Sequence, residues 1–157
     1  MKKVLLVLVA VMGLTFAANA QNIGARFKTG NLLLLGESYG AEFSYQHPFS
    51  DNNRLELDAG YSYGRYINFA AAYQWTFPIA GDFGWFIGPC ANLGYCFEHG
   101  FGLSVGAQGG AEWCPKNIPL QISVDARPLY DFLMDPNCGG YNGFAPGFAV
   151  GVRYRMH

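Results

Sequence analysis

The sequence predicts an all-β fold: one closed barrel of eight antiparallel strands in up-and-down order. Three observations predict it. Apolar residues alternate with small or polar ones along eight successive segments, the period of strands whose two faces meet different surroundings. Turn-forming clusters separate segments: "SDNN" at 50–53, "PIAGD" at 78–82 and "PKN" at 115–117. Glycine supplies 21 of 157 residues, about twice the usual ~7%, and aromatics 17%, which suits many strands joined by turns. No helix-period stripe competes with this pattern, and no apolar run after residue 20 is long enough for a membrane helix.

The first 20 residues stand apart. Lys2 and Lys3 precede an apolar run from Val4 to about Phe16, which ends in Ala18-Asn19-Ala20. A basic start, an apolar middle and an A-x-A site make a secretory signal peptide. The run is short for a bilayer span of ~20 residues. Cleavage before Gln21 is therefore expected in place of a retained anchor, with a single barrel domain over 21–157. Without Lys2 and Lys3 there remain eight Lys and Arg against eleven Asp and Glu, a net charge of −3. There is no basic run, so nucleic acid is not an expected partner.

Each strand follows from parity. In the first, Ile23, Ala25 and Phe27 oppose Gly24, Arg26 and Lys28. In the second, Tyr39, Ala41, Phe43 and Tyr45 oppose Gly40, Glu42, Ser44 and Gln46. In the third, Leu55, Leu57, Ala59, Tyr61 and Tyr63 oppose Glu56, Asp58, Gly60 and Ser62. In the fourth, Ile67, Phe69, Ala71, Tyr73, Trp75 and Phe77 oppose Asn68, Ala70, Ala72, Gln74 and Thr76. The fifth sets Phe83, Trp85, Ile87, Ala91, Leu93, Tyr95 and Phe97 against Gly84, Gly88, Asn92 and Gly94. The sixth sets Phe101, Leu103, Val105, Ala107 and Trp113 against Gly102, Ser104, Gly106, Gln108 and Glu112. The seventh sets Ile118, Leu120, Ile122, Val124 and Ala126 against Gln121, Ser123, Asp125 and Arg127. The last, "GFAPGFAVGVRYRMH", sets Phe148, Val150, Val152 and Tyr154 against Gly147, Ala149, Gly151, Arg153 and Arg155. Three-residue hairpins are expected to pair Tyr63 with Ile67 and Phe97 with Phe101.

A soluble barrel hides its apolar face and a membrane barrel turns it toward lipid. The polar face separates the two. It is rich in Gly, Ala and Ser, whereas a water-facing surface carries many Lys and Glu. Small residues at alternate positions suit the cramped interior of a narrow barrel. Tyr39, Tyr45, Tyr61, Tyr63, Tyr73, Trp75, Trp85, Tyr95, Trp113 and Tyr154 gather toward strand ends, as interfacial aromatic girdles do. The expected fold is thus a transmembrane barrel with a lumen filled by side chains. Its inward charges balance, with Arg26, Lys28, Arg127, Arg153 and Arg155 against Glu42, Glu56, Asp58, Glu112 and Asp125. Buried charges must pair, so an internal network is expected, with Asp125 bound to Arg153 or Arg155. The alternative is that these charges line a narrow path for ions or small solutes.

The leader, the eight alternating strands and the phrase "LQISVDARP" together resemble the small eight-stranded outer-membrane barrels of the OmpA/OmpX-like type, in particular barrel-domain proteins of Bacteroidota-type bacteria. Gly151, Tyr154 and Met156 are similar to the C-terminal assembly signal of that class, although the chain finishes on Met156-His157 where such chains usually finish on an aromatic residue. The resemblance implies a bacterial outer-membrane location among lipid and lipopolysaccharide, insertion by the barrel-assembly machinery, and a monomer. It speaks to architecture, since the class includes anchors, recognition proteins and a few lipid-modifying enzymes.

Chemistry is sparse. His47, His99 and His157 show no ligand spacing, so neither metal nor other cofactor is expected. For an enzyme, His99 with Ser104, aided by Glu98 or Asp131, is the pairing on offer. Their separation of five and the inward parity of Ser104 argue against it, so no catalytic residue is assigned. Disulfides are allowed in an exported protein. Cys90 and Cys114 are about 20 Å apart in the expected register, too far to bridge, which leaves Cys96–Cys138 as the possible disulfide. The segment 130–143, "YDFLMDPNCGGYNG", is the longest connection, placed to meet a partner or to cap the lumen. The run Leu32 to Leu35 is expected to extend the first strand, with a protruding apolar edge as the alternative. The expected role is a non-enzymatic envelope protein, structural or recognising a partner at its outer end.

Overall fold

In a computed structural model, the chain forms eight strands closed into one barrel; the structure describes residues 22–30, 38–62, 66–97, 100–132 and 143–156. The strands are β1 (Asn22–Gly30), β2 (Ser38–Ser50), β3 (Asn53–Ser62), β4 (Tyr66–Ala80), β5 (Phe83–Cys96), β6 (Gly100–Trp113), β7 (Leu120–Asp131) and β8 (Gly143–Arg155). Each pairs antiparallel with its sequence neighbour, and β1 pairs with β8 to close the ring. Closure satisfies every backbone edge internally, a condition for crossing hydrocarbon with strands.

The two ends differ. Turns at 51–52, 81–82 and 114–119, together with the start of β1 and the end of β8, lie at what we call the turn end. The connections 31–37, 63–65, 97–99 and 132–142 join strands at the loop end. The stretches 32–35 and most of 130–143 fall outside the described residues, as do residues 1–21.

Strands run further than the sequence pattern indicates. Pro48 and Pro78 read as strand stops, yet β2 and β4 continue past them to Ser50 and Ala80. The register shifts just beyond each proline, so irregularities at the strand ends absorb the missing N–H. Tyr130 and Asp131 likewise pair with Phe144 and Gly143 and belong to the ladder, not to a loop. Ile118, by contrast, precedes β7.

Both expected hairpin registers are corrected by two residues. Ile67 pairs with Tyr61, not Tyr63, and Phe101 pairs with Tyr95, not Phe97. Gly100 sits at φ 95 and pairs with Cys96, so the glycine is needed at the exit of the turn, and the loop moves one residue back along the chain. A shift of two preserves every side-chain face, which is why the inside–outside assignment survives the misregister.

The barrel is inside-out. Phe43, Phe69, Leu93, Leu103 and Val150 stand exposed around its waist. Aromatic pairs ring both ends. Tyr73 meets Trp75 edge-on at 5.4 Å and Phe77 stacks on Trp85 at 4.5 Å near the turns. Tyr95 meets Phe101 at 4.8 Å and Tyr130 meets Phe132 at 5.0 Å near the loops. Every Asp, Glu, Lys and Arg within the eight strands points into the lumen by its place in the alternation. An apolar waist between aromatic girdles suits a bilayer and leaves the polar core inside.

Candidate functional site

The lumen holds the chemistry of this chain. Alternation delivers one inward side chain every second residue from eight walls, and the space is narrow enough for opposite walls to touch. At its centre Arg26 from β1 is fully buried. Its Nη1 lies 2.9 Å from Glu42 Oε2 and 2.9 Å from Asp58 Oδ2, and its Nη2 donates to Asp125 Oδ1 at 2.5 Å. Arg127 binds Glu56 Oε1 at 2.8 Å and also contacts Asp58. Arg153 spans the lumen: its Nη2 reaches Glu56 Oε2 at 2.8 Å, its Nε donates to Ser44 and its Nη1 to Ser123. Lys28 Nζ reaches Glu42 Oε1 at 2.8 Å.

Amide side chains knit the charges together. Gln46 donates to Glu56 at 2.6 Å, Asn68 to Glu42 at 2.7 Å, and Gln108 to Glu56 at 3.0 Å and Asp125 at 3.1 Å. Toward the turn end, Arg54 Nη2 pairs with Glu112 at 2.7 Å while its Nε donates to Gln74 at 2.5 Å and its guanidinium lies 4.9 Å from the Phe86 ring centre. Gln121 donates to Glu112 at 2.6 Å. Below this layer a polar recess of about 500 Å³, lined in part by Asn22, Gln46, Arg54, Thr76 and Glu112, opens at the turn end. Planar guanidinium forks serve several oxygens at once, which makes arginine the cation that can cross-link a dry lumen.

The strand charges balance once two residues missed by the sequence reading are included. Arg26, Lys28, Arg54, Arg127, Arg153 and Arg155 face inward with Glu42, Glu56, Asp58, Glu112, Asp125 and Asp131, six of each sign. Arg54 was hidden in an apparent turn. Phe86 was unassigned because an inward phenylalanine breaks the small-or-polar rule; its even parity was the available signal. Two expectations are corrected. Asp125 does not pair with Arg153 or Arg155: it is level with Ala149, whereas Arg153 is level with Gln121, four positions away along the seam. Its partner is Arg26, which reaches it from β1 past β8. Arg155 donates to the backbone carbonyls of Pro115 and Ile118, and so closes the last turn instead of joining the carboxylates.

The remaining named residues sit apart from one another. Ser104 is fully buried on the lumen wall, opposite Asp131 in register, with no lipid-facing access. His99 and Glu98 lie outside the described residues. His47 is on the outer wall beside Tyr45, with ring centres 6.5 Å apart, and Phe49, 5.4 Å away. Among the described residues no group of three His, Cys, Asp or Glu is placed to hold a metal. Gly151 faces the lumen in β8, Tyr154 faces out, and Met156 follows the strand. Cys138 lies outside the described residues and Cys96 ends β5, so the Cys96–Cys138 pairing stands as an expectation.

Cys90 and Cys114 are both free thiols, with Cys90 facing the lumen. Cys114 lies in the turn after β6, where burial, then the neighbouring Glu112 carboxylate, push its thiol up to about 11. The neutral thiol is therefore favoured at ordinary pH. Maleimide labelling of Cys114 in the folded barrel, read in a Cys90→Ser, Cys96→Ser, Cys138→Ser background, is expected to stay slow at pH 8 and to accelerate as pH rises toward 11. A plateau by pH 9 contradicts the burial described here.

The fold and the charged lumen define a small eight-stranded transmembrane β-barrel. No family model and no curated protein matches the chain. Among solved structures it is similar to a de novo designed transmembrane β-barrel, at TM-score 0.61 and 12% identity over 88% of this chain and 96% of that one. It is also similar to Neisserial surface protein A, at TM-score 0.60 and 12% identity over 86% of this chain and 95% of that one. At these identities the likeness is one of fold.

Proposed function

We propose that this is a non-enzymatic barrel of the bacterial outer membrane, made with a cleaved leader, surrounded by lipid and lipopolysaccharide, and inserted by the barrel-assembly machinery. Its role is structural, or recognition of a partner at the loop end, and it works as a monomer. The resemblance to OmpA/OmpX-like and Bacteroidota barrels supports the compartment; the orientation of charge supports the role. The observation that carries this reading is the occluded lumen: Arg26, Glu56, Gln74 and Gln108 are buried from several walls at once and joined by direct hydrogen bonds and ion pairs. Such a plug supports the wall from within and fills the middle of the lumen with side chains. Planar bilayers test it: purified protein is expected to give no steady openings in symmetric salt. Stable conductance steps would overturn the plug and favour the narrow-channel alternative. In lipid profiling, a modification lost on Ser104→Ala or His99→Ala would instead show an enzyme.

A further inference from the structure

The outer wall is not an even cylinder. An apolar groove of about 630 Å³ crosses it, within the usual range of ~300–1,000 Å³ for ligand clefts. Two neighbouring register rows build it. In one, Tyr45 is level with Leu57, Leu57 with Ala71, and Ala71 with Ala91. In the other, Phe43 is level with Ala59 and Ala59 with Phe69. All seven residues line the groove. Ala59, Ala71 and Ala91 offer only methyl groups, whereas Phe43 and Phe69 on either side of Ala59 are 56% and 57% exposed. The alanines are thus a floor and the rings its banks.

The end nearest the turns differs in kind. Tyr45 faces outward by alternation, yet it is only 7% exposed. Its ring lies within 6° of parallel to His47, and its hydroxyl is 3.5 Å from His47 Nδ1. His47 meets Phe49, Phe49 meets Tyr73, and Tyr73 meets Trp75. The groove therefore runs without a break from the apolar waist into the turn-end girdle, where a hydroxyl and an imidazole stand at its mouth.

That continuity selects the occupant. At the waist the wall meets hydrocarbon, so hydrocarbon must fill the groove. A second barrel is convex and would rest on the banks, with Phe43 and Phe69 holding it off the alanines. One extended acyl chain is slender enough to reach the floor. Inside a bilayer its attraction comes from packing rather than from leaving water, and many small contacts add along its length. The polar mouth suits a headgroup at the membrane interface.

We propose that this groove seats one acyl chain of a phospholipid from the turn-end leaflet, with the headgroup at Tyr45 and His47. The site rests on the outer-membrane reading above and adds a lipid ligand to it, with the start of β1 on the periplasmic, phospholipid side.

The test uses the whole folded barrel in mild detergent, incubated with dioleoyl phosphatidylethanolamine and read by native mass spectrometry. One lipid per chain is expected to stay bound. Ala71→Phe, which raises the floor, is expected to lose it. Val152→Phe on β8, outside the groove, is expected to keep it. Both variants are checked for a folded, heat-modifiable band. If Ala71→Phe does not fold, crystals of the unaltered protein grown with the same lipid brominated in mid-chain decide: bromine signal is expected over Ala71 and Ala91. Equal retention in the two variants, or no bromine signal there, overturns the proposal. So does a two-chain species abolished by Ala71→Phe, which would put a second copy in the groove. Displacement of the phospholipid by lipid A would place the headgroup at the loop end and also overturn it. A barrel that inserts into phosphatidylethanolamine vesicles but retains no lipid sinks this inference alone, whereas a chain that does not insert sinks the outer-membrane reading.

Discussion

Replacing Arg26 with methionine is expected to destabilise the barrel by about 3–5 kcal/mol, the range for leaving buried charges without their partner. Arg26 contacts Glu42, Asp58 and Asp125 directly and lies 3.7 Å from Glu56, so four carboxylates lose the cation they share. The measurement is urea unfolding in lipid vesicles, followed by the mobility shift between unboiled and boiled samples. Adding Asp125→Asn to that variant is expected to recover part of the loss, because it removes the carboxylate that depends on Arg26 while Gln108 stays available to it. If Arg26→Met folds as stably as the original, the network is not what fills and ties the lumen. A double variant no better than the single one would place the cost in lost packing instead.

Charge placed on the outer wall tests the other face of the same design. Val150 stands in β8, exposed, level with Phe27 and Val124. Val150→Arg is expected to cost about 2–4 kcal/mol in a bilayer, the range for a lipid-facing arginine near the midplane, whereas Phe144→Arg at the loop end is expected to cost about 0–1 kcal/mol. Unfolding the two variants in vesicles compares them directly. Equal, small costs would show that the exposed wall does not face hydrocarbon. In a water-soluble barrel, both substitutions would be nearly neutral surface changes.

Inside and outside were legible in the sequence because a strand has a period of two, and two unlike surroundings imprint that period on the residues. Eight strands, their faces and ten of the twelve inward charges follow from that alternation. Register did not. A slip of two residues moves Ile67 from Tyr63 to Tyr61 without changing any face, so hydrophobic pattern carries no information about it. Arg54 escaped notice because Pro48 and the polar run after it look like a broad turn, when the turn is only Asp51-Asn52 and a register irregularity absorbs the rest. The partners within the network were also beyond parity. Parity says which side chains enter the lumen, while Arg26–Asp125 and Arg153–Glu56 are contacts between strands that do not pair, set by barrel diameter and stagger.

The seam between β1 and β8 carries a consequence for how the molecule forms. It joins Asn22 to Arg155 and Gly30 to Gly147, the two extremes of the folded chain. Loop-closure entropy makes such contacts late and slow relative to hairpins between neighbouring strands. Arg26 lies in β1, and its contact with Asp125 in β7 spans 99 positions, so that bond also awaits the ring. A half-built barrel therefore holds its carboxylates and guanidiniums in an open, wet trough. Zipping the last seam is the event that dries them and switches on their full attraction, so assembly should show a late cooperative step in which tertiary signal appears after strand content has already risen.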